Sequence, residues 1–210
     1  MGVAEEAVCG EPRAVISHKY CAPRQVQISI QKKMCFFIKG YEVRDVSNGE
    51  ILFTAKKIPS FFQSTVILLD PAKQAVVTLR QKIFQWRDSW DVYRGVKKEK
   101  SDIIFTTRTS SLFQLTPNYD VFLASNNSPR KVCDYKMETC YRIFLPPICK
   151  MFARSSKALI AQRVKQQSIF GVDKLKVTVQ PNVDQAFVAS LLLILEEINH
   201  SKDSEDSDED

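Results

Sequence analysis

The chain has 210 residues, 44% hydrophobic and 26% charged, proportions that suit one globular domain able to bury a sizeable core. Its formal charge of +6 is unevenly spread. Residues 201–210 hold one Lys against six Asp and Glu, while the first 200 residues hold 29 Lys and Arg against 18 Asp and Glu, a net near +11. A basic body with an acidic tail points to an anionic partner: an anionic phospholipid or phosphoinositide surface, nucleic acid, or an acidic protein.

Residues 1–19 lack a regular pattern and read as a flexible N-terminal segment. Met1 to Pro12 has no apolar stretch and carries Glu5, Glu6 and Glu11, which excludes a secretory signal. Glu6 stands where a myristoylation signal wants Ser or Thr. After Pro23 the alternation of Val26, Ile28 and Ile30 with Gln25, Gln27 and Ser29 predicts a half-buried strand. Tyr41 to Val46 and Glu50 to Lys56 flank Ser47-Asn48-Gly49, a hairpin signal in which Asn-Gly suits a tight type I′ turn. Val66 to Leu69 and Gln74 to Lys82 form a second hairpin around Asp70-Pro71-Ala72-Lys73. Further strands are predicted at Trp90–Tyr93, Ile103–Thr107, Leu112–Leu115, Tyr119–Leu123, Val132–Met137, Tyr141–Phe144, Leu159–Val164 and Lys174–Val179. Leu145-Pro146-Pro147-Ile148-Cys149 reads as a loop, because consecutive prolines cannot donate to a ladder. About a dozen short strands at near-regular spacing are the mark of a sandwich or barrel.

One segment breaks the pattern. Ala186 to Leu195 is apolar on every side and rich in helix formers, and Asn182 with Gln185 resembles a capping box. A helix with no polar face must be surrounded, here by a barrel or curled sheet closed around it. Its uncharged stretch, Gln185 to Leu195, would extend about 16 Å as a helix against a hydrocarbon core of about 30 Å, which suits a buried core helix and not a membrane span.

Catalytic constellations are missing from the pattern. The two histidines, His18 and His200, lie at the edges of the folded region. The six cysteines, at 9, 21, 35, 133, 140 and 149, include no CxxC pair, so no zinc site is expected and the thiols read as reduced and intracellular. Phosphate-cradling glycine motifs are absent too. The expectation is a protein without catalytic residues, metal or cofactor. The functional lead is basic: Arg163 and Lys165 share a face by the two-residue strand period, as do Lys174 and Lys176, and together they are the candidate anion-binding residues. No stretch interleaves aromatics with basic residues, so specific nucleic-acid binding is not expected. In the tail, Ser204 and Ser207 are each followed three residues on by a group that suits an acid-directed kinase, Ser207 once phosphorylated and Asp210.

Taken in order, several segments resemble the LURP-one-related family of plants. They are Tyr20-Cys21-Ala22-Pro23; Leu68-Leu69-Asp70-Pro71 with Ala75-Val76-Val77-Thr78-Leu79-Arg80; Trp90-Asp91-Val92-Tyr93-Arg94-Gly95; Asp120-Val121-Phe122-Leu123; and Val177 to Phe187. The family usually places Gly in the turn where this chain has Ala72-Lys73. The resemblance covers residues 20–200 and implies a tubby C-terminal-like fold: a mainly β, closed twelve-stranded barrel around a buried C-terminal helix at about 183–199, followed by a disordered acidic tail at 201–210. Kinship with tubby-like proteins and phospholipid scramblases implies a non-enzymatic module that docks on phosphoinositide or anionic membrane surfaces, is linked to plant defence, and is released toward the nucleus. Alternatives are a protein–protein adaptor that recruits through the acidic tail, a membrane-tethered transcription-related regulator, and a scramblase-like lipid-handling protein. A cytoplasmic monomer associating with the plasma membrane is the expected state.

Overall fold

Twelve strands follow one another around a ring, and each pairs antiparallel with its neighbours in sequence. They are β1 (Val26–Cys35), β2 (Ile38–Asp45), β3 (Ile51–Ile58), β4 (Thr65–Leu69), β5 (Ala75–Gln81), β6 (Ser89–Arg94), β7 (Ile103–Thr109), β8 (Tyr119–Leu123), β9 (Tyr135–Arg142), β10 (Leu145–Ala153), β11 (Leu159–Arg163) and β12 (Leu175–Val179). The ring closes where β1 pairs with β12, Val26 opposite Val179 and Ile30 opposite Leu175. The computed structural model describes residues 13–35, 38–60, 63–83, 88–97, 99–110, 118–128, 132–142, 145–163 and 175–205. Closure leaves no strand edge to template aggregation.

The expected strand faces hold. Val26, Ile28 and Ile30 point inward and are buried. The same period places Val77 and Leu79, Val92, Phe105, Val121, Met137, Met151 and Val177 on the inner wall. They enclose α1 (Gln185–Glu205). From Ala186 to Ile194 no residue is more than 1% exposed, which explains why this helix carries no polar face. Phe187 sets its ring edge-on to Phe105 at 5.1 Å and tilted against Tyr135 at 4.9 Å. The one hydroxyl in this run, on Ser190, donates back to the carbonyl of Ala186 at 2.7 Å and so needs no partner from the wall. Among the described residues no helix is long and apolar enough to cross a membrane.

The structure departs from the sequence expectations in six places. Leu145-Pro146-Pro147-Ile148-Cys149 is not a loop but the start of β10. The ladder slips between Leu145, opposite Arg142, and Ile148, opposite Cys140, so the two prolines sit in a bulge where no N–H is required. The turn at Ser47-Asn48-Gly49 is longer than a type I′ turn. Only Gly49 has positive φ, its N–H bonds to the carbonyl of Asp45, and the Asp45 carboxylate accepts from the Ser47 N–H and hydroxyl. β9 begins at Tyr135 and not at Val132, and the predicted strand at 112–115 lies outside the described residues. The helix cap is Asp184, not Asn182, which instead takes a left-handed φ of 60° just before it. The helix also runs to Glu205, past the expected end near 199. No Gly or Pro interrupts the sequence there, and extending an existing helix is far easier than nucleating one. Finally, residues 13–19 are not a loose segment: Ile16 is buried in the core, and the backbone from Arg13 to Cys21 lies along the start of the helix.

Two substitutions test these points. Leu192, fully buried at the centre of α1, should cost about 2–5 kcal/mol when changed to Ala. Thermal unfolding should then show a midpoint lower by several degrees, and an unchanged midpoint would mean the helix is not the core. Lys73 closes the β4–β5 turn at φ 64°, in the left-handed region that favours Gly, and donates its N–H to the carbonyl of Asp70. Lys73→Gly should therefore remove strain of about 1 kcal/mol. The midpoint should rise by roughly 2–4 °C.

Candidate functional site

A carboxylate organises the end of the barrel at which the helix begins. Asp184 is fully buried. Its Oδ1 accepts from the backbone N–H of Ala186 (3.0 Å) and Phe187 (3.1 Å), capping the helix. Its Oδ2 accepts from the N–H of Val15 (3.2 Å), Ile16 (2.7 Å) and Ser17 (3.0 Å). Five donors and the positive end of the helix dipole compensate the buried charge. The same bonds fix the course of the N-terminal segment. The Arg13 N–H reaches the carbonyl of Asn182 at 2.7 Å, and Arg94 donates to the carbonyl of Ile16 at 3.2 Å.

That placement puts Arg13 on the rim of a cleft of about 530 Å³. The β8–β9 loop contributes Asn126, Ser128, Val132 and Asp134; the β10–β11 turn contributes Arg154, Ser155 and Ser156; Leu123, Cys133, Tyr135 and Ala153 form the floor. The loop is internally braced. Asn126 donates from its amide both to the carbonyl of Val132 and to Asp134 Oδ2, each at 2.8 Å, and accepts from the Ser128 N–H at 2.9 Å. Asp134 Oδ2 also accepts from the Leu123 N–H at 2.8 Å, so this carboxylate is spent within the loop. Burial pushes the Cys133 thiol and the Tyr135 hydroxyl up, opposed by the charge of Arg154 on the first and of Arg13 on the second. Neither Arg13 nor Arg154 forms an ion pair among the described residues, whereas Arg24 is paired with Asp45 and Arg44 with Glu42. Among the described residues the cleft thus presents two guanidinium groups without an ion pair, above a polar wall whose one carboxylate, Asp134, is hydrogen-bonded within the loop.

The residues expected from the strand period lie elsewhere. Arg163 ends β11 directly opposite Val177, so it faces the barrel interior beside the buried Cys149. Burial pushes that thiol up to about 12, although the Arg163 charge acts to lower it. Lys176 stands on the outer face of β12, opposite Ser29. Arg163 and Lys176 thus point to opposite sides of the sheet, near the end of the barrel where the helix finishes, and the structure does not bring them together on one face. Lys165, Lys174 and Ser207 lie outside the described residues, and Ser204 contributes only its backbone, in the last turn of α1. Arg13 and Arg154 had no periodic signal to mark them. The turn composition of Arg154-Ser155-Ser156-Lys157 between two strands was the available clue.

Further along the helix Glu197, 2% exposed, accepts from Tyr41 Oη at 2.7 Å and from Lys57 Nζ and Ser64 Oγ, both at 2.6 Å. Burial alone would raise its pKa, but these hydrogen bonds and the Lys57 charge hold it below the usual carboxylate range.

Fold and site together define an antiparallel barrel whose interior is filled by a helix and whose cleft lies on its surface. The family model described as LURP-one-related matches residues 26–196. The chain is 37% identical to Protein LURP-one-related 15 of Arabidopsis thaliana, a match covering 88% of this chain and 85% of that one. It is 36% identical to Protein LURP1 of the same plant, covering 90% and 91%. An X-ray structure of an Arabidopsis thaliana protein, 33% identical, superposes with a TM-score of 0.67 over 89% of this chain and 98% of the other. The chain belongs to the LURP-one-related family.

Asp184→Asn exchanges a carboxylate for an amide with a single acceptor oxygen. It should lower stability by about 3 kcal/mol or more and speed hydrogen exchange at Val15, Ile16 and Ser17. Native exchange at those amides would show that the segment is held otherwise. Glu197 has a lowered folded pKa, so its stabilisation is complete above the ordinary carboxylate range and is lost as pH falls through the folded value. Glu197→Gln should thus be least stable relative to wild type near neutrality, and the gap should narrow below about pH 4. A gap that widened on acidification would contradict the assignment.

Proposed function

We propose that this protein is a non-enzymatic binding module that docks reversibly on anionic, phosphoinositide-bearing membrane surfaces, in the defence signalling that its family resemblance implies. The observation that carries this reading is the pair of guanidinium groups, Arg13 and Arg154, at one rim of the barrel, neither in an ion pair among the described residues. The same rim exposes Lys73, Lys97, Lys100 and Lys157 in the turns between strands. Two apolar side chains project among them, Val96 at 62% and Val132 at 44% exposure. Exposed apolar tips ringed by Lys and Arg suit an interface where the tips enter the headgroup layer and the cations meet its negative charge. Each cation near such a surface contributes about 1 kcal/mol. The net charge of the whole chain draws it to the same surface.

Co-sedimentation of the full chain with phosphatidylcholine vesicles, with and without a phosphatidylinositol monophosphate, tests the reading. Binding should require the anionic lipid and should weaken steeply as salt shortens the screening length to about 10 Å and below. Val96→Asp with Lys97→Gln should reduce it by at least about tenfold without shifting the thermal midpoint, as the loss of one apolar anchor and two units of favourable charge demands. Equal binding to uncharged vesicles, or none to either, would refute membrane docking and leave the adaptor reading in its place.

A further inference from the structure

We infer that the cleft between Arg13 and Arg154 is a phosphomonoester site, one that distinguishes a terminal phosphate from the phosphodiester common to all glycerophospholipids. The inference rests on the docking reading only for its lipid source; the site itself stands on its lining. The volume of about 530 Å³ falls within the range of small-ligand pockets, well beyond what a bound ion needs. Among the described residues two guanidinium groups line it, Arg13 and Arg154, and they come from separate elements, the Asp184-anchored segment and the β10–β11 turn. The other arginines described at this end are engaged: Arg24 with Asp45, Arg44 with Glu42, Arg94 with the carbonyl of Ile16. Among the described residues the remaining polar lining, Asn126, Ser128, Ser155 and Ser156, is uncharged, and the one carboxylate, Asp134, is held by the Leu123 N–H and the Asn126 amide.

A phosphomonoester carries about −1.5 to −2 charges near neutrality and three terminal oxygens, enough for two guanidinium groups to bind it side by side. A phosphodiester offers one charge and two terminal oxygens, so it compensates the two positive charges only in part and binds the pair more weakly. The floor of Leu123, Cys133 and Ala153 with the Tyr135 ring would meet the carbon part of the ligand. The site therefore takes an organic phosphate, with no preference built in for free inorganic phosphate. The same chemistry serves a lipid headgroup such as phosphatidic acid and a soluble ligand such as inositol hexakisphosphate.

The test uses the full chain and three probes: phosphatidylcholine vesicles doped with phosphatidic acid, vesicles doped with phosphatidylserine at matched surface charge, and inositol hexakisphosphate in solution. Arg13→Gln and Arg154→Gln are compared with Lys97→Gln/Lys100→Gln, and each variant is first checked for an unchanged thermal midpoint. The inference expects phosphatidic acid vesicles to bind about tenfold or more tightly than phosphatidylserine vesicles, with inositol hexakisphosphate competing. Each arginine variant should lose that preference, while the lysine variant should weaken both vesicle types equally and keep it. Equal binding to the two vesicle types, with no binding of the soluble probe, overturns the phosphomonoester site while membrane docking survives. Arginine-dependent binding of the soluble probe with no vesicle binding upholds the site and overturns docking. A preference that persists in both arginine variants places recognition elsewhere and overturns the site.

Discussion

Most of the arrangement at the cleft end depends on the burial of one carboxylate. Asp184 is sealed from water, and its charge is tolerable only because five backbone N–H groups converge on it. Two of them belong to the first turn of α1, and three to a segment about 170 residues earlier in the chain. One group thus starts the helix, sets the angle at which it enters the barrel, and ties down the strap that crosses the barrel mouth. The strap in turn brings Arg13 to the rim and gives Arg94 a carbonyl to hold. A hydrophobic plug fixes its depth in a barrel poorly, since apolar contacts are non-directional. The directional bonds of Asp184 supply what the plug lacks.

A second carboxylate, further along the helix, shows the complementary problem. Glu197 lies about two turns before the last residue of α1, too far from either terminus to gain from the helix dipole. Glu197 compensates with three side-chain donors from β2, β3 and the β3–β4 connection: Tyr41, Lys57 and Ser64. The burden falls on Tyr41 as well, whose hydroxyl is pushed far up by burial and by the adjoining charge. α1 is therefore held at its start and again past its middle by carboxylates buried in different ways, one within backbone amides and one within side chains. Between them the wall is apolar and asks only for volume.

The fold was legible because two periods in the sequence contradict each other. Alternation along β1, β5 and β12 says that each strand has an inside, and the unbroken apolar run of α1 says what fills it. Local chemistry was harder to read. The capping-box pattern drew the helix start to Asn182, but a side chain with five distant and local donors outweighs a local signature, and Asp184 took the cap. Pro146 and Pro147 suggested a loop because a regular ladder has no place for them, yet a bulge accommodates them inside β10. The candidate site was the least legible. Counting by twos along a strand paired Arg163 with Lys165 and Lys174 with Lys176, but not one pair with the other. The β11–β12 register then sent Arg163 inward and left Lys176 outside. Arg13 and Arg154 are far apart in sequence and lie on no periodic face, so only the closed barrel makes them neighbours.

Closure through β1 and β12 has a consequence for biosynthesis. Every strand from β2 to β11 can find its neighbour as soon as the next hairpin leaves the ribosome, but β1 must wait with one edge open until Leu175–Val179 is made, and the helix that fills the ring comes later still. During translation the nascent chain is a growing, curling sheet with an apolar inner face and nothing to cover it. Long-range closure of this kind is slow, and open apolar sheets attract chaperones and other chains. The final step, threading α1 into the ring, is then the moment at which a vulnerable ribbon becomes an edgeless protein. A chain ending between residues 180 and 184 would hold every strand of the ring and lack the helix that fills it.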